Sequence, residues 1–490
     1  MLNHPVARQR WALAALTLPV LLLSVDLTVL SMALPHLSGD LTPTGTQLLW
    51  IIDIYGVFLA GLLIPMGSLG DRIGRRRLLL IGGAAFGAAS ILAAFAPTAE
   101  VLIAARALLG IGGATLMPST LSLIRTIFRR PAPRRRALAV WMAAYAGGAG
   151  LGPVIGGLLL EHFWWGSVFL INVPIMALLL ILGPLVLPEA RDPAPGRFDV
   201  PSVLLLITAV LVTVFGFKSG TVVLLLAGAA VAVVFTVRQR RLATPLIDVA
   251  LFRSLPFTTA VLSNIAGVFA LTGVLYFYPQ YVQTVLGRTP FEAGLWSIPI
   301  AAGAVIGALL APRIARRLPT GVVIGLGLTA AAVGYLLLSL LGVNAAMILT
   351  FVAGALLGAG AGLSDTLTND VILGTAPVDK AGAAAGISET AYHLGAVMGT
   401  AILGTVGARL YASNVLAGLP AGTPADVATT ASQTVGAASR LAGPFRAIAN
   451  DAFVDAMSRT FLTGAAVVGV AGLAAALVLR HHRPAPSADH

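Results

Sequence analysis

Long apolar runs alternate with short polar links along nearly the whole chain. Runs long enough to cross roughly 30 Å of hydrocarbon as helices fall at 12–34, 47–66, 78–97, 100–124, 137–160, 164–187 and 201–217. They continue at 221–237, 256–286, 291–311, 320–342, 345–373, 381–408 and 459–479. This pattern predicts fourteen membrane-spanning helices, spans 1 to 14, and an all-α polytopic membrane protein. The first run is longer than a signal-peptide core and lacks a small-residue cleavage site, so it reads as a retained span.

The links carry the charge. With both termini on the cytoplasmic side, 24 lysines and arginines fall on that side and 6 outside (Lys218, Arg288, Arg409, Arg440, Arg446 and Arg459), leaving Arg106 alone within a span. That asymmetry is the orientation signal of a membrane protein, and an odd number of spans destroys it. The predicted topology has both ends cytoplasmic.

Composition agrees: 58% of the 490 residues are hydrophobic and 10% charged, with mean hydropathy +0.93. The net charge of +12 lies in the links and not on one basic face, which excludes a nucleic-acid partner in favour of the lipid bilayer. Zero cysteines exclude disulfides and thiolate metal sites. No metal-ligand spacing or cofactor signature occurs. His36, His162 and His393 are too scattered for a catalytic set, so an enzyme is not expected.

Three elements repeat at offsets of 241, 248 and 247 residues. Arg72-Ile-Gly-Arg-Arg76 recurs as Arg313-Ile-Ala-Arg-Arg317, and Ala107-Leu-Leu-Gly110 as Ala355-Leu-Leu-Gly358. Ala144-Tyr145 with Gly152 and Gly157 recurs as Ala391-Tyr392 with Gly399 and Gly404. Two homologous six-span halves therefore flank an inserted pair, a plan shared by many secondary transporters. The expected divisions are 1–190 for the first half, 191–255 for the inserted spans and a basic linker, and 256–490 for the second half. Within the linker, 238–255 has the composition of an amphipathic surface helix. Residues 409–458 read as a long external link, either a lid or a loosely ordered loop.

Charges placed in hydrocarbon are costly and mark functional candidates. Asp26, Asp53, Asp365, Asp370, Glu389 and Arg106 qualify. At about 1.5 Å per residue, Asp26, Asp53 and Arg106 lie roughly 9–13 Å below the outer end of their spans. Arg106 is expected to neutralise one of the two carboxylates, leaving the other free to exchange a proton. Glu389 lies about 14 Å from the inner end of span 13, with no basic residue within two turns, so it suits protons or cationic cargo. Asp365 has Ser364, Thr366 and Asn369 as local partners, and Asp370 is close enough to the cytoplasm to meet water or Lys380. Aromatic rings, among them Tyr55, Tyr145 and Tyr392, interleave with these acids, and ring faces accept cations. Span 5 carries Gly147-Gly-Ala-Gly-Leu-Gly-Pro-Val-Ile-Gly-Gly157, whose bare face permits close helix approach and whose Pro153 bends the helix.

The link from Gly67 through Leu79 holds Gly67, Gly70 and Gly74 for a tight turn, plus Asp71, Arg72, Arg75, Arg76 and Arg77. It resembles the Gly-x-x-x-Asp-Arg-x-Gly-Arg-Arg signature of major facilitator superfamily transporters. Leu102-Ile-Ala-Ala-Arg-Ala-Leu-Leu-Gly-Ile-Gly-Gly113 resembles the fourth-span motif of that family, and Gly148-x-x-x-Gly152-Pro153-x-x-Gly-Gly157 its antiporter motif. Val25-Asp-Leu-Thr-Val-Leu-Ser-Met-Ala-Leu-Pro35 resembles the first-span motif of the fourteen-span drug:proton antiporters, with Ser31 where Asn is common. Leu49-Trp-Ile-Ile-Asp-Ile-Tyr55 and Gly386-Ile-Ser-Glu-Thr-Ala-Tyr-His-Leu-Gly395 are similar to the quaternary-ammonium and biocide branch. The resemblance implies proton-driven export of hydrophobic, mainly cationic compounds by a monomer working through alternating access. Asp26, Asp53 and Glu389 are implied to handle protons and cargo and Arg106 to tune them. Asp71 with Arg75 is implied to latch the cytoplasmic side. Asp365 matches no motif, and Pro312 replaces the second-half counterpart of Asp71. The alternatives are an exporter dedicated to one endogenous antibiotic or metabolite, and an importer, which the span-five motif disfavours.

Overall fold

The computed structural model describes residues 5–191, 198–242, 245–344, 346–377, 380–441 and 444–480, and no strand occurs among them. Fourteen helices have the length and hydropathy to cross a membrane. Spans 1 to 5 run Gln9–Asp40, Gly45–Ile73, Arg75–Ala94, Ala99–Ile127 and Pro131–His162. Spans 6 to 10 run Ser167–Val186, Val200–Ser219, Val222–Arg241, Leu255–Val285 and Pro290–Ala315. Spans 11 to 14 run Thr320–Leu338, Met347–Thr375, Ala383–Gly418 and Phe445–Val478. The architecture is the major facilitator fold, two six-helix halves with two further helices between them.

Local chemistry sets the helix ends. Span 2 begins on a capping box, in which Thr44 and Gln47 each accept from the other's backbone N–H. Span 10 begins on the equivalent box of Thr289 and Glu292, with Pro290 at its first position. Each box satisfies N–H groups that a helix start leaves unpaired. The repetition of the box at the same point in both halves extends the sequence repeat. So does the packing: Gly110 of span 4 abuts the Tyr55 backbone of span 2, as Gly358 of span 12 abuts Ile300 of span 10.

The link between spans 2 and 3 is tighter than expected. Span 2 stays helical to Ile73 and span 3 starts at Arg75, so Gly67 and Gly70 lie within the helix. The whole reversal falls on Gly74, whose φ of 108° excludes most side chains. Arg75 donates its backbone N–H to Ala190 O at 2.9 Å, tying this turn to the end of span 6.

At the opposite, far end the two halves are joined. The external segment 409–458 is largely helical: span 13 continues to Gly418, short helices run Ala425–Gln433 and Val435–Ala438, and span 14 starts at Phe445. What remains between the spans folds over the first half. Arg440 donates to Gly39 O at 2.8 Å and Asp40 Oδ1 at 2.6 Å. The Gly45 N–H donates to Gln433 Oε1 at 3.2 Å. Gln283 of span 9 adds a bond to Met32 O of span 1 at 3.0 Å.

The inserted spans 7 and 8 form a hairpin closed by Gly220, left-handed at φ 70°. Its foot is a polar knot. Buried Gln239 donates to Ser202 Oγ at 2.7 Å and accepts from Leu246 N at 2.7 Å, and Arg238 bonds Asp199 at 2.8 Å. The amphipathic helix expected over 238–255 is absent from the described residues. Span 8 runs straight to Arg241, and beyond it only a 3-10 turn forms at Val249–Arg253.

Candidate functional site

Span 1 brings Asp26 and span 4 brings Arg106 to the interior of the first half. Arg106 Nη1 donates to Asp26 Oδ2 at 2.7 Å, and both side chains are essentially inaccessible. The pair is fully supported. Arg106 Nε donates to Ile51 O at 3.1 Å, and Asn172 Nδ2 donates to Asp26 Oδ1 at 3.2 Å. The guanidinium also lies 4.3 Å from the Tyr55 ring centroid. A buried ion pair is tolerable when its remaining donors and acceptors are satisfied, and this one is built as a lock across spans 1, 4 and 6.

Asp53 is not the free carboxylate that the sequence suggested. Lys218, placed by the sequence in an external link, turns its ammonium into the bundle, 2.9 Å from Asp53 Oδ2. The same ammonium sits 4.0 Å from the Trp50 ring centroid. Arg106 thus serves Asp26 alone, and the inserted hairpin supplies the second cation.

A cavity of about 100 Å³ lies beside these pairs, lined by Asp53, Tyr55, Arg106, Tyr276, Tyr392 and Thr400 among others. Buried His393 also lines it, and its Nε2 has no hydrogen-bond partner among the described residues. Thr400 opens a π-helical stretch of span 13, Thr400–Gly404; such local widenings recur at functional sites.

The second half holds two acids of a different kind. Glu389 of span 13 and Asp365 of span 12 are both half-buried, and beside them Ser388 of span 13 donates its hydroxyl to Asn369 Oδ1 of span 12. Asn264 of span 9 donates to Asp365 Oδ1 at 2.6 Å, a longer-range partner than the neighbours read from sequence. Of those neighbours, Asn369 makes only a 3.4 Å contact to Oδ1, and Thr366 bonds Gly362 O instead. Among the described residues, no salt bridge reaches Glu389 or Asp365. Tyr392, one turn from Glu389, lines the cavity, and Tyr145 stacks on Trp141 at 6.2 Å and 8°. Asp370 is exposed, and Lys380 pairs with Asp248 of the linker at 2.6 Å. That hydrogen bond from Lys380 holds the Asp248 carboxyl below its ordinary range.

At the arginine-rich end, Asp71 and Arg75 pair across the Gly74 turn at 2.6 Å, and Arg72 occupies the last turn of span 2. Arg76 Nη1 donates to Leu187 O at 3.1 Å. Gly67 faces Pro118 of span 4. In span 5, Gly152 lies against span 1, where a Cβ would run into Thr28 Oγ1, and the Pro153 carbonyl meets Gly294 of span 10. Span 5 is therefore a seam within its own half and a contact to the other. Among the described residues, no group of three or more His, Asp or Glu side chains is placed to hold a metal.

Lys218, Asn172 and Asn264 are the partners that the sequence reading missed. The asparagines offer no pattern of their own. Lys218 had one signal, its place between two apolar runs with a buried acid unaccounted for nearby.

Two like halves around a midline cavity edged with buried charge define a membrane transporter. The major facilitator superfamily profile matches residues 16–400, and the chain belongs to that family. It is 46% identical over 479 residues to the multidrug efflux pump LfrA of Mycolicibacterium smegmatis, covering 96% of this chain and 94% of that protein. It is 37% identical to the methyl viologen resistance protein SmvA of Salmonella typhimurium, covering 93% of each. The tetracenomycin C resistance and export protein of Streptomyces glaucescens is 32% identical, over 96% of this chain and 92% of that protein. Among solved structures, a bacterial homologue of the human lysosomal transporter Spinster, inward-facing and unoccupied, superposes with a TM-score of 0.70 at 17% identity. That match covers 98% of this chain and 99% of the other.

Proposed function

We propose that the protein is a proton-driven antiporter that exports hydrophobic, mainly cationic drugs and biocides across the bacterial inner membrane by alternating access. The observation that carries this reading is the two interior acids Glu389 and Asp365 on spans 13 and 12, which Ser388 and Asn369 tie together and to which no cationic side chain is bonded among the described residues, with Tyr392 one turn from Glu389. Two acids without a counter-charge in a low-dielectric bundle must take up protons or a cation. Aromatic faces around them favour flat or quaternary cations.

Related proteins support the cargo class. LfrA is named for multidrug efflux and SmvA for resistance to methyl viologen, itself a flat dication. Asp26 and Arg106 act on this reading as a fixed pair that positions spans 1 and 4. Asp53 and Glu389 exchange protons and cargo, and the Asp71–Arg75 pair steadies the cytoplasmic turn. The joined far end fits a state that loads from the cytoplasm.

The test is uptake of a fluorescent hydrophobic cation into inverted membrane vesicles under an imposed proton gradient. Uptake should require the gradient, and its absence with several such dyes refutes the reading. A second reading, export of one endogenous metabolite, is favoured by the likeness to the tetracenomycin C exporter. Competition among chemically unrelated dyes separates the two.

A further inference from the structure

A lysine near the end of a span ordinarily extends its ammonium outward to the headgroups. Lys218 does the reverse. It lies in the last turn of span 7, two residues before the Gly220 cap, yet its side chain is 0% exposed and Nζ is 2.9 Å from Asp53 Oδ2. We propose that Lys218 is an internal cation that occupies Asp53 while the cavity is free of cationic cargo, and that cargo binds by displacing it. This rests on the cationic cargo proposed above.

Three observations support displacement over a fixed brace. First, the Lys218 ammonium has few supports: beyond its 2.9 Å contact with Asp53 it meets the Trp50 ring face, and no further hydrogen-bond acceptor reaches it among the described residues. The Trp50 ring centroid is 4.0 Å from the ammonium. The neighbouring Arg106–Asp26 pair, by contrast, is bonded on both sides. Hydrogen bonds to charged groups stabilise by about 1.5–3 kcal/mol each, so a cation with fewer of them separates more readily. Second, Asp53 lines the cavity and Lys218 is not among its lining residues. The carboxylate thus stands between its internal cation and the space a ligand enters. Third, the hairpin that carries Lys218 touches both halves. Ile207 packs on Gly61 of span 2, and Arg409 of span 13 donates to Lys218 O at 3.2 Å. Val214 joins Val57 of span 2 and Val397 and Ala401 of span 13 in one buried cluster. Exchange at Asp53 is therefore coupled to an element in contact with both moving bodies.

The test uses the full-length protein in detergent at about pH 8, with tetraphenylphosphonium as a monovalent probe in equilibrium binding and thermal unfolding read in parallel. Lys218→Met removes the competitor and should bind the probe at least about tenfold tighter than wild type, which corresponds to roughly 1.4 kcal/mol. Lys218→Arg keeps the charge and should stay near the wild-type affinity. In an Asp53→Asn background, adding Lys218→Met should change nothing, because no carboxylate is left to release. Unchanged or weaker binding by a well-folded Lys218→Met overturns the proposal, as does tightening that survives Asp53→Asn. If Lys218→Met unfolds early, Lys218→Gln is read by the same criteria. A wild type that fails to export the cation refutes the proposed cargo separately. If the wild type also fails to bind it, binding gained in Lys218→Met still supports displacement, and binding by neither overturns it.

Discussion

Replacing Glu389 by Gln keeps the shape and hydrogen-bonding capacity of the side chain and removes its charge, so it isolates electrostatics. A ligand charge about 5 Å from a carboxylate, at an effective dielectric of about 20, gains roughly 3 kcal/mol per unit charge before its own desolvation is subtracted. Asp365 lies on span 12, bonded to span 13 beside Glu389 through Asn369 and Ser388, so the site retains part of its attraction in the variant. The loss should therefore fall short of the full Coulomb figure and scale with ligand valence. For divalent biguanides or bipyridiniums, resistance and purified-protein affinity should both drop at least about tenfold, or roughly 1.4 kcal/mol. Monovalent dyes should lose less, and neutral compounds almost nothing. Parallel measurement of binding and of gradient-driven transport separates recognition from coupling. If Glu389→Gln slows mono- and divalent export equally while affinities stay at wild-type values, Glu389 carries protons only, and the reasoning from valence is wrong.

Asp53→Asn should abolish gradient-driven transport between about pH 6 and about pH 8. It should also lower thermal stability, since stranding one member of a buried pair costs about 3–5 kcal/mol. Adding Lys218→Met should restore stability without restoring transport, and wild-type rates in the single variant would remove Asp53 from coupling. Asp71→Asn removes a half-buried turn pair worth no more than about 1 kcal/mol; it should slow every substrate alike in vesicle assays, so loss of one drug alone contradicts a latch. Asp248, held low by Lys380, contributes stability that is fully present above the ordinary carboxylate value and is lost as pH falls through its depressed one. Asp248→Asn should therefore reduce stability at neutral pH by no more than about 1 kcal/mol, read as a lower unfolding temperature, and match wild type in strong acid.

The fourteen spans were legible because each must present an apolar surface of bilayer length, and the charge asymmetry of the links distinguishes an even count from an odd one. The repeat was legible for a related reason: where helices touch backbone to backbone, as at Gly110 and Gly358, only the smallest residues fit and the spacing persists. Reversals were less legible. A cluster of glycines suggests a loop, yet a helix continues through Gly67 and Gly70 and stops only where φ turns positive at Gly74. Helices likewise extended from spans 13 and 14 into a segment whose polar composition suggested a link. The pairing of charges was least legible. A lysine ammonium lies far enough from its Cα to act more than one helical turn away, and sequence position does not say in which direction. Lys218 looked interfacial for that reason and is in fact part of the core.

On the proposed antiport reading, the resulting charge distribution bears on why such a bundle would exchange and not leak. Of the four acids in the interior, Asp26 and Asp53 are balanced by Arg106 and Lys218, so the first half is close to neutral. Glu389 and Asp365 have no such balance among the described residues. The imbalance sits on spans 12 and 13, one of which packs against span 2 along the contact between the halves. Moving an unbalanced carboxylate through a low-dielectric seam is opposed by desolvation that only a proton or a bound cation relieves. An unloaded, unprotonated carrier is then held in place, while a protonated or cation-loaded one is free to turn. On this account the coupling needs no separate gate at the acids. It follows from giving two acids their cations within the fold and leaving the other two to acquire theirs from opposite sides of the membrane.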